Sequence, residues 1–381
     1  MKIAYLSATF PPLSAGMGSA CFYTADLIGK NNEVSVFLAQ RKNINYQKGN
    51  YVLKLFKPWF SYGYANLAPQ LFWRLKNFEI IHIYYPYFGV VELLCLFKKL
   101  SGKKYPKLIF HYQMDMVGEG ISKIINRIYK ILVMPWLFNL VDAVFVLSED
   151  YARNSDLKKY LKKYKQKFYI VPNGVDVDKF NNQLDTKTQR EQLGLKDHEQ
   201  IIFTAQALDH QHFFKGIDIL IKALKIINRE NVKLVIAGSG DLQKYYEDLT
   251  YKFCVQDKVI FLGRVDHNQL PNYYALADIV AIPSTQKTES FSVTAVEAMA
   301  SGKPVVVSNL PGLRVTAENN ISGLLVEPNN ENDLAEKILF LIDHKDMTTS
   351  MGQAARKRAI ELYDWRKICV NIKNFYSKLL K

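Results

Sequence analysis

The sequence predicts an α/β fold in two successive units, each a mainly parallel sheet flanked by helices, and three observations support this. Short β-branched or aromatic runs alternate with amphipathic stretches, the pattern of strands joined by crossover helices. The alternation breaks in a polar, charged segment from Asn181 to Gln200 and then begins again. The length of 381 residues, with 49% of them hydrophobic, suits about two domains at roughly 100–200 residues each.

In the first unit the expected strands are Ile3 to Ser7, Glu33 to Leu38, Ile80 to Tyr84, Leu108 to Tyr112, Ala143 to Leu147 and Phe168 to Val171. A Pro-Gly loop follows the first, then a helix with Ala20, Tyr23, Thr24, Leu27 and Ile28 on one side. In the second unit they are Gln200 to Ala205, Val232 to Ala237, Val259 to Leu262, Ile279 to Pro283, Pro304 to Val307 and Gly323 to Val326. The expected limits are 1–182 and 196–365, with a last helix over 366–381.

Composition excludes several classes. Cys21, Cys95, Cys254 and Cys369 show no C-x-x-C pairing, which argues against a disulfide framework or a structural zinc and reads as core thiols in a reducing compartment. The apolar run after Met1 is too short for a secretory leader and reads as a strand. The richest apolar run, Ile131 to Leu147, is broken by Pro135, Asn139 and Asp142, so no bilayer span is expected. A net charge of +14 points to an anionic partner: nucleic acid, acidic lipid or a phosphorylated substrate.

The most informative segment is PSTQKTESFSVTAVEAMASGKPVVVS, from Pro283 to Ser308. The loop Glu289-Ser290-Phe291-Ser292 opens a helix at Val293, so its amides and the positive helix end form a site for phosphates. Glu297, further into that helix, is placed to accept two hydroxyl protons, as from a ribose, and Glu289 to do the same for a sugar. Lys215, beside Gly216 and ahead of another helix, can neutralise a leaving diphosphate. Gly16 and Gly18 mark a tight loop after the first strand. Cys21 stands where a dinucleotide fingerprint needs its third glycine, and Ala39-Gln40 where it needs an acid, which argues against a nicotinamide or flavin enzyme.

The spacing E-x7-E followed by A-x-G-x-P-V-V resembles the donor site of glycosyltransferase family 4, whose members have the GT-B fold and transfer with retention. VPNGVD at 171–176, the Lys215-Gly216 pair, AGSGDL at 237–242 and FLGRV at 261–265 extend the resemblance over most of the chain. It implies two Rossmann-like domains facing across a cleft, with the acceptor on the first, the nucleotide sugar on the second, and a C-terminal helix crossing back to the first. The Gly16–Gly18 loop would then face donor diphosphate and acceptor. Gly238, Gly240, Arg264 and Val265 would lie against the base, Ser290 to Val293 against the diphosphate, and Glu289 and Glu297 against sugar and ribose. His111, at the end of an apolar run, should project from the sheet's carboxyl edge, where it fits the family's active-site histidine. Asp115 should contact the acceptor or cap the following segment.

One departure stands out. Many members carry an arginine shortly before the lysine, whereas this chain reads Ala207-Leu208-Asp209-His210-Gln211-His212. His210, His212 or Arg264 could supply a second cation, or the donor is held differently. Asp176-Val177-Asp178 has a metal-binding spacing but follows an Asn-Gly turn that explains it, so no metal or other cofactor is expected.

The helix from Ile121 to Leu132 carries Lys123, Arg127 and Lys130 on one stripe and Ile121, Ile124, Ile125, Ile128, Ile131 and Leu132 on the other. More lysines cluster at 98–107 and 158–167. Two readings stay open: a core helix with a solvated basic face, or docking of the first unit on an anionic inner leaflet. The whole points to a cytoplasmic, peripherally membrane-bound transferase moving sugar from a UDP- or GDP-linked donor to a lipid-linked glycan in surface polysaccharide or glycolipid synthesis. A sugar-nucleotide epimerase and a non-catalytic binder of nucleic acid or acidic lipid are the alternatives.

Overall fold

The computed structural model describes residues 1–12, 16–40, 44–62, 65–116 and 120–381. Every run expected to be a strand is one; most are stretches buried on both faces, as a covered parallel sheet accommodates, while the edge runs Phe168–Ile170 and Val259–Gly263 are only partly buried. Strands β1 (Lys2–Leu6), β2 (Glu33–Ala39), β3 (Val52–Phe56), β6 (Ile80–Tyr85), β7 (Lys107–Tyr112), β8 (Ala143–Val146) and β9 (Phe168–Ile170) form a parallel sheet in the order β3-β2-β1-β6-β7-β8-β9. Strands β4 (Phe60–Tyr62) and β5 (Ala65–Leu67) make a separate antiparallel pair. Sequence reasoning missed β3, β4 and β5: β4 and β5 are three residues each, and β3, at the sheet edge, is mostly apolar but only partly buried.

A second parallel sheet has the order β12-β11-β10-β13-β14-β15. Its members are β10 (Gln200–Ala205), β11 (Val232–Ala237), β12 (Val259–Gly263), β13 (Ile279–Ile282), β14 (Val305–Ser308) and β15 (Gly323–Val326). In both sheets the order reverses direction beside the first strand of the unit. The carboxyl ends there are where open α/β folds bind ligands.

The compact units are Met1–Asn173 with Trp365–Lys381, and Gly174–Asp364. The first therefore ends before the expected limit at 182. The reason is local: Val175 bridges to Asp364 and its amide donates to the Tyr363 carbonyl at 2.7 Å, while Phe180 packs against Tyr274. Three cysteines are buried, but Cys254 is exposed at positive φ where the helix Gln243–Lys252 ends.

The last helix, Trp365–Leu379, joins the first unit through its buried face. Ile368, Cys369 and Ile372 pack with Ile3, Tyr5 and Ile28, and Trp365 stacks on Tyr23. Under it runs a buried polar chain. Tyr376 Oη meets Tyr5 Oη at 3.0 Å and His82 Nδ1; His82 Nε2 meets His111 Nδ1 at 3.3 Å; His111 Nε2 meets the Val171 carbonyl at 3.2 Å. Tyr5, His82 and His111 stand on one face of β1, β6 and β7, as a period of two requires. A linked set of this kind fixes one docking of the helix, which an all-apolar contact would leave free to slide.

Burial pushes the His111 imidazole down to about 4, against a raising contribution from the Val171 carbonyl, and pushes His82 well down, with His111 adding to the effect. The folded state therefore rejects protons that the unfolded chain accepts below its ordinary value near 6.5. Stability should be intact above pH 6.5 and fall as pH drops toward 4. Between pH 6.5 and 5 the loss for His111 alone should be on the order of 2 kcal/mol. Because the raised Glu297 carboxyl contributes stability of the opposite sign over the same interval, urea unfolding of a Glu297→Gln variant checks it, and a flat stability profile there would contradict the buried pair.

Candidate functional site

The site of the second unit is assembled at the carboxyl ends of β10, β11 and β13. Here three backbone segments touch so closely that side chains are excluded. A Cβ on Gly238 would come within 1.7 Å of the Gln206 carbonyl oxygen, and one on Gly240 within 2.2 Å of Leu208. Gly216, at φ 74°, would meet the Pro283 carbonyl oxygen at 2.0 Å. Amides complete the seam: Leu208 donates to Ser239 at 3.1 Å and Thr285 to Phe214 at 2.7 Å. The glycines of AGSGDL thus bring the 206–208 loop and the 238–240 loop together.

This seam sets Lys215 beside Glu289. Their ammonium and carboxylate form an ion pair, and Ser284 Oγ donates to the same Glu289 oxygen at 3.2 Å. The Lys215 side chain is 19% exposed and that of Glu289 5%, so the pair is nearly removed from water. Two opposite charges held there stabilise only as a pair, since loss of either strands the other.

Next to it begins the helix Val293–Ala300, with Ser292 as N-cap accepting from the Ala295 amide at 3.2 Å. Thr294 Oγ1 ties the helix start to the Ala205 carbonyl at 2.8 Å. Phe291 turns inward against Tyr363, so what it can offer a ligand is backbone. Glu297 lies in the buried interior of the same helix, and Tyr274 Oη donates to its Oε2 at 2.8 Å. Burial pushes the Glu297 carboxyl up to about 7, with the Tyr274 bond and the Lys179 ammonium pulling it down. Tyr274, wholly buried between Phe203 and Phe180, was missed by sequence reasoning: in a helix it reads as a core aromatic.

Arg264 and Val265 follow β12, Arg264 exposed. The candidate second cations are engaged locally: His212 Nδ1 is 2.7 Å from Asp209, and His210 Nε2 is 3.8 Å from Asp241. Asp176 accepts from the amides of Asp178 and Lys179 at 3.2 and 3.1 Å, the turn role its Asn-Gly context suggests. Among the described residues there is no group of three or more His, Cys, Asp or Glu able to hold a metal ion.

In the first unit one expectation needs correction. His111 does not project from the sheet edge. It sits inside β7 with no exposure, and both its nitrogens are engaged in the buried chain, because the strand continues past it to Tyr112. Asp115 has a structural job, accepting from Tyr112 Oη at 2.8 Å and from the Asp156 amide at 3.2 Å. Gly16, at φ 71°, precedes the helix Met17–Gly29 and Gly18 is buried within it. The loop residues between Pro12 and Gly16 lie outside the described part.

Comparison with known proteins places this geometry. The glycosyl transferases group 1 family matches residues 185–358. An uncharacterized glycosyltransferase of Methanocaldococcus jannaschii is 29% identical over 99% of this chain and 98% of its own. A GDP-mannose-dependent α-(1-6)-phosphatidylinositol monomannoside mannosyltransferase of Mycobacterium tuberculosis is 28% identical, over 54% of this chain and about half, 54%, of its own length. Among solved structures, Anabaena HepE in complex with UDP superposes with a TM-score of 0.79 at 21% identity, covering 99% of this chain and 100% of that one. The fold is GT-B. Residues 185–358 of the second unit resemble the group 1 glycosyl transferases, and the protein is a glycosyltransferase.

Replacing Gly216 by Ala should test the seam directly. The new methyl would strain a left-handed backbone position and strike the Pro283 carbonyl, costing roughly 2–4 kcal/mol. Denaturant unfolding should show that loss; a variant as stable as the parent would mean that the two loops are not held in contact.

Proposed function

We propose that the protein is a retaining transferase of glycosyltransferase family 4 type, carrying a sugar from a nucleoside diphosphate donor in the second unit to a hydroxyl of a lipid-linked glycan. The buried Lys215–Glu289 pair at the mouth of the helix Val293–Ala300 is the observation that carries this reading. A diphosphate arriving at the helix start gives Lys215 an anionic partner that competes with Glu289. The freed Glu289 carboxylate can then accept from a sugar hydroxyl. Glu297, steadied by Tyr274, accepts from the ribose. The bond from the anomeric carbon to the diphosphate oxygen breaks while the acceptor hydroxyl attacks from the same face. The departing phosphate oxygen takes its proton, so no side-chain nucleophile is used. Lys215 and the helix amides stabilise the developing diphosphate charge in place of a metal.

UDP or GDP are the donor bases favoured, in keeping with the UDP bound to HepE and the GDP-mannose named for the mycobacterial relative. That relative's lipid acceptor supports a membrane-borne glycan as the second substrate, in surface polysaccharide or glycolipid synthesis at the inner face of the plasma membrane.

Thermal stabilisation by UDP, GDP, ADP and CDP, with and without EDTA, tests the donor site. One nucleotide at a hundredfold its Kd should stabilise by about 2.7 kcal/mol with EDTA present, and no shift with any would remove the reading. Lys215→Ala should cut turnover by about 10²–10³-fold, as loss of an electrostatic stabiliser does, and undiminished turnover would contradict its role.

The pH dependence follows from Glu297. Its raised carboxyl pKa means that the ribose-accepting carboxylate is only partly formed at neutral pH, so nucleotide affinity should rise from pH 6 to 8 and level off above. Tyr274→Phe removes a bond that favours the charged form. Calorimetric titration should show the rise displaced to higher pH; an unchanged profile would mean that Tyr274 does not set the ionisation of Glu297.

A further inference from the structure

The helix Ile121–Leu140 does not bury the face that its isoleucines predict. Its inward side is made by Tyr129, Val133, Met134 and Leu137, packed in the first unit's core, while Lys130 turns in to meet Asp156 at 2.7 Å. Ile124, Ile125, Ile128, Ile131 and Leu132 lie outside, from 52% exposed at Ile128 to 68% at Leu132. The side chain of Ile121 lies outside the described part. Helical periodicity finds an apolar stripe but not which of two stripes meets the core, and the corrected assignment leaves five large aliphatic groups on adjoining turns in water.

A second apolar group lies on neighbouring elements. In β4, β5 and the segment before them, Trp59 is 75% exposed, Phe60 64% and Tyr62 80%; Trp73, on the next helix, is 67% exposed. Phe88 links the two groups: its carbonyl accepts from the Asn66 amide of β5 at 2.9 Å, and its ring packs on Tyr129 of the long helix. Both lie toward the carboxyl edge of the first sheet, since β6 leads into the Phe88 turn and β7 into the segment before the long helix.

Around this surface the charge is positive. Lys123 and Arg127 are exposed on the same turns. The short helix Lys158–Lys163 lies alongside, Tyr160 Oη donating to the Lys130 carbonyl at 3.3 Å, and it exposes Lys158, Lys159, Lys162 and Lys163. Exposed aliphatic side chains on one helix, tryptophan and tyrosine beside them and lysine at the rim match the layers of a bilayer interface: acyl boundary, headgroup level and anionic surface. A protein partner would need shape and acidic complements. A bilayer with acidic lipid meets all three chemistries with a planar surface. Among the described residues no helix is long and apolar enough to cross a membrane.

We infer that the first unit docks in-plane on anionic bilayers by inserting the Ile124–Leu132 face of this helix together with the aromatic tip formed by Trp59, Phe60 and Tyr62. For its purpose, though not for its geometry, this rests on the lipid-linked acceptor proposed above.

The test is flotation of the full chain with vesicles of phosphatidylcholine alone and with phosphatidylglycerol added. The parent should float with the acidic vesicles and the emission of its exposed tryptophans should shift to the blue. Ile125→Glu/Ile128→Glu should lower vesicle binding by at least about tenfold, and Trp59→Ala should weaken it and reduce the emission shift. Both sites are exposed, so melting temperature and nucleotide-induced stabilisation should match the parent and report a folded chain. A parent that stays with the lipid-free fraction, or a double variant that floats as well as the parent, overturns the inference. So does a parent that is dimeric in solution while the double variant is monomeric, which would assign the surface to a second copy. A chain that floats but gains no stability from any nucleotide fails the donor reading alone; one stabilised by nucleotide that never floats fails only this inference.

Discussion

The close approach of three backbone loops at the carboxyl edge of the second sheet is the constraint on which the candidate site depends. Parallel strands buried on both faces leave few polar positions along their length, so most polar chemistry is driven to their ends. There the Gly216, Gly238 and Gly240 positions permit main-chain contacts that any other residue would obstruct. The contacts do more than save space: they fix the height of Lys215 relative to the 283–289 loop, and so the formation of its pair with Glu289. A flexible lysine on a mobile loop would lose rotamer entropy on meeting a diphosphate. One already ordered against a carboxylate has lost most of it beforehand.

The same pair explains how a nearly buried ammonium suited to an anionic ligand can be held in the folded domain. An unpaired ammonium at this depth would carry a desolvation cost of several kcal/mol, and so would the carboxylate. Paired, each compensates the other until a more highly charged anion arrives. Glu297 solves the equivalent problem differently. With Tyr274 as its direct hydrogen-bond donor and Lys179 as a more distant charge, it moves toward neutrality, and its environment holds it near the point of ionisation.

Much of this was legible in the sequence because it depends on local rules. Strand runs, the helix start at Val293, the Asn-Gly turn that holds Asp176 and the carboxylates at Glu289 and Glu297 are fixed by neighbours within a few residues. What was not legible depends on register and depth. A strand's period of two puts His111 on the face covered by the final helix, and no local signal says that a tyrosine 265 positions later, Tyr376, closes its network through His82. Tyr274 was hidden for the same reason, its partner Glu297 being 23 positions away on another helix. The strand β3 escaped although four of its five residues are apolar: it lies at the sheet edge with its side chains only partly buried, so its apolar residues do not alternate inward and outward.

The long helix of the first unit shows the other limit of pattern reading, and its energetics argue that the pattern serves something other than folding. A buried isoleucine or leucine contributes roughly 1.5–3 kcal/mol, and the exposed stripe forgoes that contribution at five positions. The helix is nevertheless well anchored, through Met134, Leu137 and Phe138 in the core and through the Lys130–Asp156 pair, so the exposed stripe adds nothing that the fold requires. Charged or polar residues there would leave stability nearly unchanged and improve solubility. An apolar surface of this size, ringed by lysines and next to two exposed tryptophans, is therefore explained by what it meets outside the chain. The net charge of +14 acts in the same direction, since it draws the protein toward acidic surfaces from beyond contact range.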